Sequence, residues 1–285
     1  MAAGDMITRD HQYEYNGLLI GSQTQYRTAS WNGLFDLTNI INSDLAPKDR
    51  DGMIPGEDLL SSRTITGQIN LLQNDQGLMY DDIEAFQTAF ASRRSTELPF
   101  VYKLPGRDKR YVNCRTRKSS LPKDADLAYG LAVINMQMEA SDPRHFDLTP
   151  QSRQVVIPAT DSSATVSLNV GGNFYTEPII TIKDLAINPI ITLESHTAID
   201  PALDSTGKAV RLQYSNSVGD TTVVDTRRNY KTITYNGDNA YNIRRTDSQW
   251  FRLMPGVNQI NIQRSNTATG SSCTVVFTWN NAYNY

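Results

Sequence analysis

At 285 residues the chain exceeds the ordinary size of one domain, has ample length for a buried core, and reads best as two medium domains. One fifth of the residues are charged and the formal net charge is only -3, so bulk electrostatics give no reason to expect a nucleic-acid binder. Divided at residue 148, the balance is 16 basic to 20 acidic residues before and 11 to 10 after, so neither half is a polyelectrolyte.

Cys114 and Cys273 fall in different predicted domains. They are expected as reduced, small buried residues rather than as a disulfide. The opening stretch M-A-A-G-D-M-I-T-R-D-H carries acidic residues and no apolar segment, so no secretory signal is expected. No run approaches the ~20 apolar residues of a spanning helix. The expectation is a chain made in a cytoplasm, soluble there, without membrane insertion.

Tyr13 to Ile20 and Tyr26 to Leu37 read as short strands broken by Gly17, Gly21 and Asn32-Gly33. Residues 42–58, N-S-D-L-A-P-K-D-R-D-G-M-I-P-G-E-D, form a long polar connection of a length that is usually functional or mobile inside a compact domain. It reads either as a surface loop or as an arm reaching a neighbouring subunit. Asp49, Asp51 and Gly52 match the third, fifth and sixth positions of a calcium loop, but Pro47 would then hold the first ligand position and has no side-chain oxygen, so calcium is not expected.

Arg63 to Leu72 alternates, with Ile65, Gly67, Ile69 and Leu71 on one face. A helix is predicted after Gly77, capped by Asp81 with Glu84, with Ile83, Phe86 and Phe90 as its apolar stripe and Arg93-Arg94 at its negative end. A hairpin follows, Phe100 to Leu104 and Lys109 to Arg117, around Pro105-Gly106-Arg107-Asp108. Eight basic residues lie from Lys103 to Lys123 against Asp108 alone. Arg115 and Arg117 share a face with Tyr111 while Val112 and Cys114 point the other way, so a basic solvent face explains the run; the other reading is a phosphate-binding strip. From Gly130 to Met138, Ala132, Ile134, Met136 and Met138 oppose Leu131, Val133, Asn135 and Gln137, as a strongly apolar strand.

Pro150 to Arg153 reads as a linker. Beyond it, short strands recur: Val155–Ile157, Thr165–Val170, Ile179–Ile182, Ile190–Leu193, Val210–Tyr214, Thr221–Asp225, Lys231–Tyr235, Trp250–Leu253, Val257–Ile262 and Thr274–Trp279. Without any helical period, this is a β-sandwich pattern. Asn236-Gly237 supplies the positive φ of a tight hairpin turn, and Pro255-Gly256 suits the middle of a type II turn.

His11, His145 and His196 sit in unrelated contexts, and no nucleophile elbow, C-x-x-C pair, H-E-x-x-H or phosphate loop is present. Asp225 reads as a strand-terminal acid accepting turn N–H bonds rather than as a catalytic carboxylate. Trp250, Trp279, Tyr241 and Tyr283 read as core or interface residues, with sugar stacking as the second reading. No catalytic, metal or cofactor residue is assigned.

The segments V-V-D-T (Val223–Thr226), N-G (Asn236-Gly237), W-F-R-L-M-P-G-V-N (Trp250–Asn258) and V-V-F-T-W-N-N-A-Y (Val275–Tyr283), in this order, resemble the C-terminal half of the distal tail protein family of long, non-contractile-tailed bacteriophages. The strand closing on A-S-D-P (Ala140–Pro143) and the D-G-x-x-P-G-x-D run (Asp51–Asp58) leading into Arg63 are similar to that family's N-terminal domain. Residues 1–40 carry no such likeness.

The resemblance implies a mainly β chain. Residues 1–148 would form an α+β, sandwich-like domain with one helix, and residues 149–285 a galectin-like β-sandwich. It further implies a structural virion protein at the tail tip, assembled in the host bacterial cytoplasm as a ring, usually a hexamer. The N-terminal domains would stack on the tail tube protein, a tail-tip or fibre protein would lie below, and DNA would pass through the centre without sequence-specific binding. Cyclic closure needs two different complementary patches per subunit. The 42–58 loop and the basic hairpin are the candidates. The rival classes are a tail-tip module recognising cell-wall carbohydrate through the second domain, and a glycan-degrading enzyme dependent on Asp225.

Overall fold

This computed structural model describes every residue except 1, 47–50, 55, 57, 92–95, 122–128, 197–203 and 265–270. The chain divides into two compact units, Met1–Leu148 with Asn284–Tyr285, and Thr149–Tyr283. The fold is mainly β with one α-helix. Asn284 and Tyr285, expected with the second domain, therefore cluster with the first.

In the first unit the strands are β1 (Gln12–Tyr15), β2 (Leu18–Gly21), β3 (Tyr26–Asn32), β4 (Ile40–Ile41), β5 (Leu59–Leu60), β6 (Arg63–Leu72), β7 (Leu98–Lys103), β8 (Arg110–Ser120), β9 (Leu131–Ala140) and β10 (His145–Asp147). They pair in the order β2-β1-β7-β8-β9-β6-β3, all antiparallel, with β4 and β5 as a separate two-stranded ladder. The length of β8 lets it serve two neighbours: Arg110–Cys114 pair with β7 and Arg115–Ser120 pair with β9, across a register shift at Thr116/Lys118. Such an extra residue bends a strand, which wraps the sheet around one core.

The alternation read in β6 and β9 is the buried face of that core: Ile65, Gly67, Ile69 and Leu71 on one strand, Ala132, Ile134, Met136 and Met138 on the other. Strand β3 stops at Asn32, short of the predicted Leu37. Gly33 takes φ +77, and a Cβ there would lie 2.0 Å from the Thr64 carbonyl oxygen, so the chain turns away from the sheet.

Helix α1 spans Gln76–Ala89, and its cap is Asp75 rather than Asp81. The Asp75 carboxylate accepts from the Gly77 amide at 2.8 Å and the Leu78 amide at 3.3 Å. The helix thus includes Gly77 rather than following it; Gly77 sits in the first turn, where amides lack helical acceptors anyway and a capping oxygen reaches them. The stripe holds, with Met79, Ile83, Phe86 and Phe90 buried and the Phe86 and Phe90 rings stacked at 4.5 Å. Arg93-Arg94 lie outside the described residues.

Gly67 has a packing reason. A Cβ at this position would fall 2.3 Å from the Trp31 ring, which crosses the β6 backbone to meet Phe100 edge-on at 5.0 Å. Gly67→Ala is therefore expected to destabilise the first unit by about 1–3 kcal/mol through overpacking, read as a lower urea midpoint with an unchanged m value.

The second unit contains β11 (Gln151–Ile157), β12 (Ser163–Val170), β13 (Ile179–Asp184), β14 (Ile190–His196), β15 (Ala209–Arg211), β16 (Thr221–Asp225), β17 (Thr232–Tyr235), β18 (Asp238–Asn239), β19 (Gly256–Gln263), β20 (Cys273–Trp279) and β21 (Ala282–Tyr283). One sheet runs β11-β20-β13-β16-β17-β18 and the other β12-β19-β14-β15. Residues of both fill one core, among them Phe277, Ile180 and Val224 from the first and Leu168, Ile260 and Leu193 from the second. Cys273 and, in the first unit, Cys114 are free and buried.

Two expectations here are corrected. The predicted linker Pro150–Arg153 is mostly strand: Gln151, Ser152 and Arg153 pair with Trp279, Thr278 and Phe277. An edge strand with exposed polar side chains carries no apolar alternation to betray it. Conversely Trp250–Leu253 is not a strand, since Leu253 alone makes a bridge, to Thr176. Phe251, Leu253 and Met254 are buried as irregular chain, a state that alternation does not distinguish from a strand.

The turns behave as read. Asn236 and Gly237 have φ +47 and +92 between β17 and β18, and Gly256 has φ +96. The Met254–Gly256 turn is held by the buried Asn258 side chain, which accepts from the Met254 amide at 2.9 Å and donates to the Met254 carbonyl at 2.7 Å.

Candidate functional site: an exposed arm and its buried root

Between β3 and β6 the chain leaves the core and returns. Leu37, Ile40, Ile41, Leu45, Met53 and Leu59 are each more than half exposed, at 53–78%. Among the described residues this arm is held by the two-residue β4–β5 ladder, the Ser61 amide donating to the Asn39 carbonyl at 2.9 Å, a bridge between Leu45 and Ile54, and the Asp44 carboxylate accepting from the Gly56 amide at 2.8 Å. So many large apolar side chains in one exposed hairpin mark a surface meant to be covered. Asp49 and Pro47, which bore on the calcium reading, lie outside the described residues. Among the described residues no group of three or more His, Cys, Asp or Glu side chains is placed to hold a metal.

The root of the arm is built on Arg63, which is 4% exposed. Its guanidinium donates to the carbonyls of Gly33 at 2.7 Å, Asp36 at 2.7 Å and Pro143 at 2.9 Å, and to the Thr38 hydroxyl at 2.8 Å. Carbonyl dipoles thus solvate the charge, and burial lowers the Arg63 pKa, with Tyr102 and Asp36 opposing. One side chain thereby ties the outgoing segment, the returning strand and the A-S-D-P corner. The sequence showed Arg63 only as the residue where a motif ends.

Beside it, His145 is fully buried, its Nδ1 2.8 Å from the Tyr102 hydroxyl. Burial, then the nearby Arg63 and Arg110 charges, push its pKa down to about 3, with the Leu34 carbonyl opposing. The imidazole is therefore neutral at ordinary pH. Arg144, in the same D-P-R-H segment, is 2% exposed and forks onto the Asp142 carboxylate at 2.9 and 2.6 Å.

Much of the basic run is occupied internally. Lys103 pairs with Asp10 at 3.4 Å, Arg110 with Asp147 at 3.2 Å and Arg117 with Glu139 at 2.5 Å, while Lys109 donates to the Gly4 carbonyl at 2.8 Å. Lys123 lies outside the described residues. Next to Lys118 the sheet face forms a concavity of about 400 Å³ lined by Asn32, Thr66, Gln68, Asn135 and Gln137, amides and hydroxyls with a single cation.

In the second unit Asp225 accepts from the Arg227 amide at 3.0 Å and pairs with the Arg227 guanidinium at 2.6 Å, the turn-closing role expected. Trp279 is 5% exposed and belongs to the core. Trp250 is half-buried beneath the Arg244 guanidinium at 5.3 Å, and Tyr241 is 44% exposed. Of the remaining histidines, His11 is an exposed turn residue at φ +59, and His196 bonds Asp204 at 2.8 Å. The three histidines are not brought together.

Residues 171–283 match the family described as siphovirus-type tail component, C-terminal domain. No curated protein sequence matches the chain. Solved structures share the fold over 94% of this chain and 97% of theirs. One is the Dit (gp 19.1) protein of phage SPP1, described as a paradigm of the hub adsorption apparatus in phages infecting Gram-positive bacteria, at TM-score 0.66 and 16% identity. Others come from the phage P2 baseplate in its activated conformation, with calcium at TM-score 0.51 and 8% identity, and with strontium at 0.54 and 10%.

Residues 171–283 are thus similar to the C-terminal domain of siphovirus-type tail components, and the chain shares the fold of the hub and baseplate structures.

Proposed function

We propose that this chain is a phage distal tail protein that closes into a ring, a hexamer, joining the tail tube to the tail-tip or fibre proteins and leaving a channel for DNA. The chain would reach this state by self-assembly in the host cytoplasm. The observation that carries the reading is the arm from Leu37 to Leu59, whose apolar side chains find little cover among the described residues. Ring closure requires that one subunit's projecting element meet a different patch on the next. The amide- and hydroxyl-lined concavity beside Lys118 supports a channel wall, because a polar surface with a single cation holds a polyanion only weakly.

Removal of residues 44–56 tests the reading. The expected product is a soluble single copy by light scattering, with the circular dichroism of the parent, since no arm residue belongs to the core cluster. An assembly of undiminished mass would overturn the arm's role.

A further inference from the structure

The arm has almost no packing of its own, so its direction depends on its root. Two residues from the far end of the sequence complete that root. The Thr38 hydroxyl, which accepts from Arg63, itself donates to the Asn284 side-chain oxygen at 2.9 Å. The Arg63 guanidinium also donates to the Tyr285 carbonyl at 3.4 Å. The Tyr285 ring meets Phe35 edge-on at 6.2 Å and His145 at 5.0 Å, with the Arg110 guanidinium 5.7 Å from its centre.

From these contacts we infer that the Asn284–Tyr285 dipeptide is a positioning latch that fixes the arm in the orientation needed to meet a second copy of the chain. This rests on the reading of the arm as the inter-subunit contact. The dipeptide touches both limbs of the arm at the level where they leave the core: Phe35 and Thr38 on the way out, Arg63 on the way back.

Thr38 is the hinge, the last buried residue before the exposed hairpin. Held on both sides of its hydroxyl, it cannot swing without breaking a charge-assisted bond and leaving a buried cation short of an acceptor. Released from Asn284, the Thr38 hydroxyl keeps its bond to Arg63, and without the Tyr285 ring Phe35 loses its edge-on neighbour. The hydrophobic core is a separate matter, because neither residue of the dipeptide belongs to its cluster. Loss of the latch thus frees the arm and spares the fold.

Amide hydrogen exchange on the full chain tests this whether or not copies assemble. The reporters are the Leu45 and Ile54 amides, each bonded to the other's carbonyl at 3.0 and 2.8 Å, and the Ser61 amide, bonded to the Asn39 carbonyl at 2.9 Å. In an Asn284→Ala/Tyr285→Ala double variant these should exchange at least about tenfold faster, while Ile69 in β6 and Ile134 in β9 stay protected. Tyr285→Phe keeps the ring and the carbonyl and should match the parent. Arm amides that exchange at the parent rate in the double variant overturn the latch.

Light scattering separates the two levels of the account. If chains lacking residues 44–56 still assemble, the arm reading itself is wrong. If they fall to single copies while the double variant assembles with parental affinity, the latch alone is wrong.

Discussion

Replacing Arg63 by methionine is expected to cost the first unit about 3 kcal/mol, the largest loss of any single substitution considered. Methionine fills a similar volume but donates nothing. The carbonyls of Gly33, Asp36 and Pro143 and the Thr38 hydroxyl then lose their common donor. Leaving a buried polar group unsatisfied costs roughly 1–3 kcal/mol, and the relief from no longer burying a guanidinium offsets part of the sum. Lysine keeps the charge but lacks the planar fork that reaches several acceptors at once, so Arg63→Lys should recover less than half of the loss. Global opening read from the slowest-exchanging amides of β6 and β9 measures both variants. A loss below about 1 kcal/mol for methionine would mean that the carbonyls find water, and that the root is not organised by this residue.

Acid should weaken the same region before the carboxylates are touched. His145 is neutral in the folded chain with its pKa pushed to about 3, whereas an unfolded histidine titrates near ~6.5. The unfolded chain therefore takes up the proton first. Stability is full above about pH 6.5 and falls as pH drops from there toward 3, at up to ~1.4 kcal/mol per pH unit. Between about pH 6.5 and 5 the expected loss is about 2 kcal/mol, a window above the range in which aspartates and glutamates titrate. His145→Gln removes the titrating group and should flatten this part of the profile relative to the parent. Parallel profiles for the two proteins would show that the imidazole is charged in place, against the flanking Arg63 and Arg110.

The parts of the fold that were legible are those where burial imposes a period. β6 and β9 were readable because each puts every second residue into the core, and the Asn236-Gly237 turn because its backbone demands a positive φ. The misread parts lack that coupling. Gln151–Arg153 pair through their backbone while their side chains face solvent, and Trp250–Met254 bury side chains without a ladder. The cap was placed on Asp81 by its pairing with Glu84, whereas the amides of Gly77 and Leu78 are reached by Asp75, a geometry that residue types alone do not reveal.

The site was half visible for a related reason. Residues 42–58 stood out by length and turn composition, but nothing in a polar, Asp- and Pro-rich run announces that its apolar residues point outward together. Arg63 and Tyr285 are 222 residues apart, and no local pattern links an arginine to a carbonyl at that distance.

Negative-stain electron microscopy of the purified full chain tests the central claim most directly. The account predicts closed, hollow annuli with six-fold averages. Fields of isolated single-chain particles, at concentrations where a distal tail protein would be assembled, would contradict it.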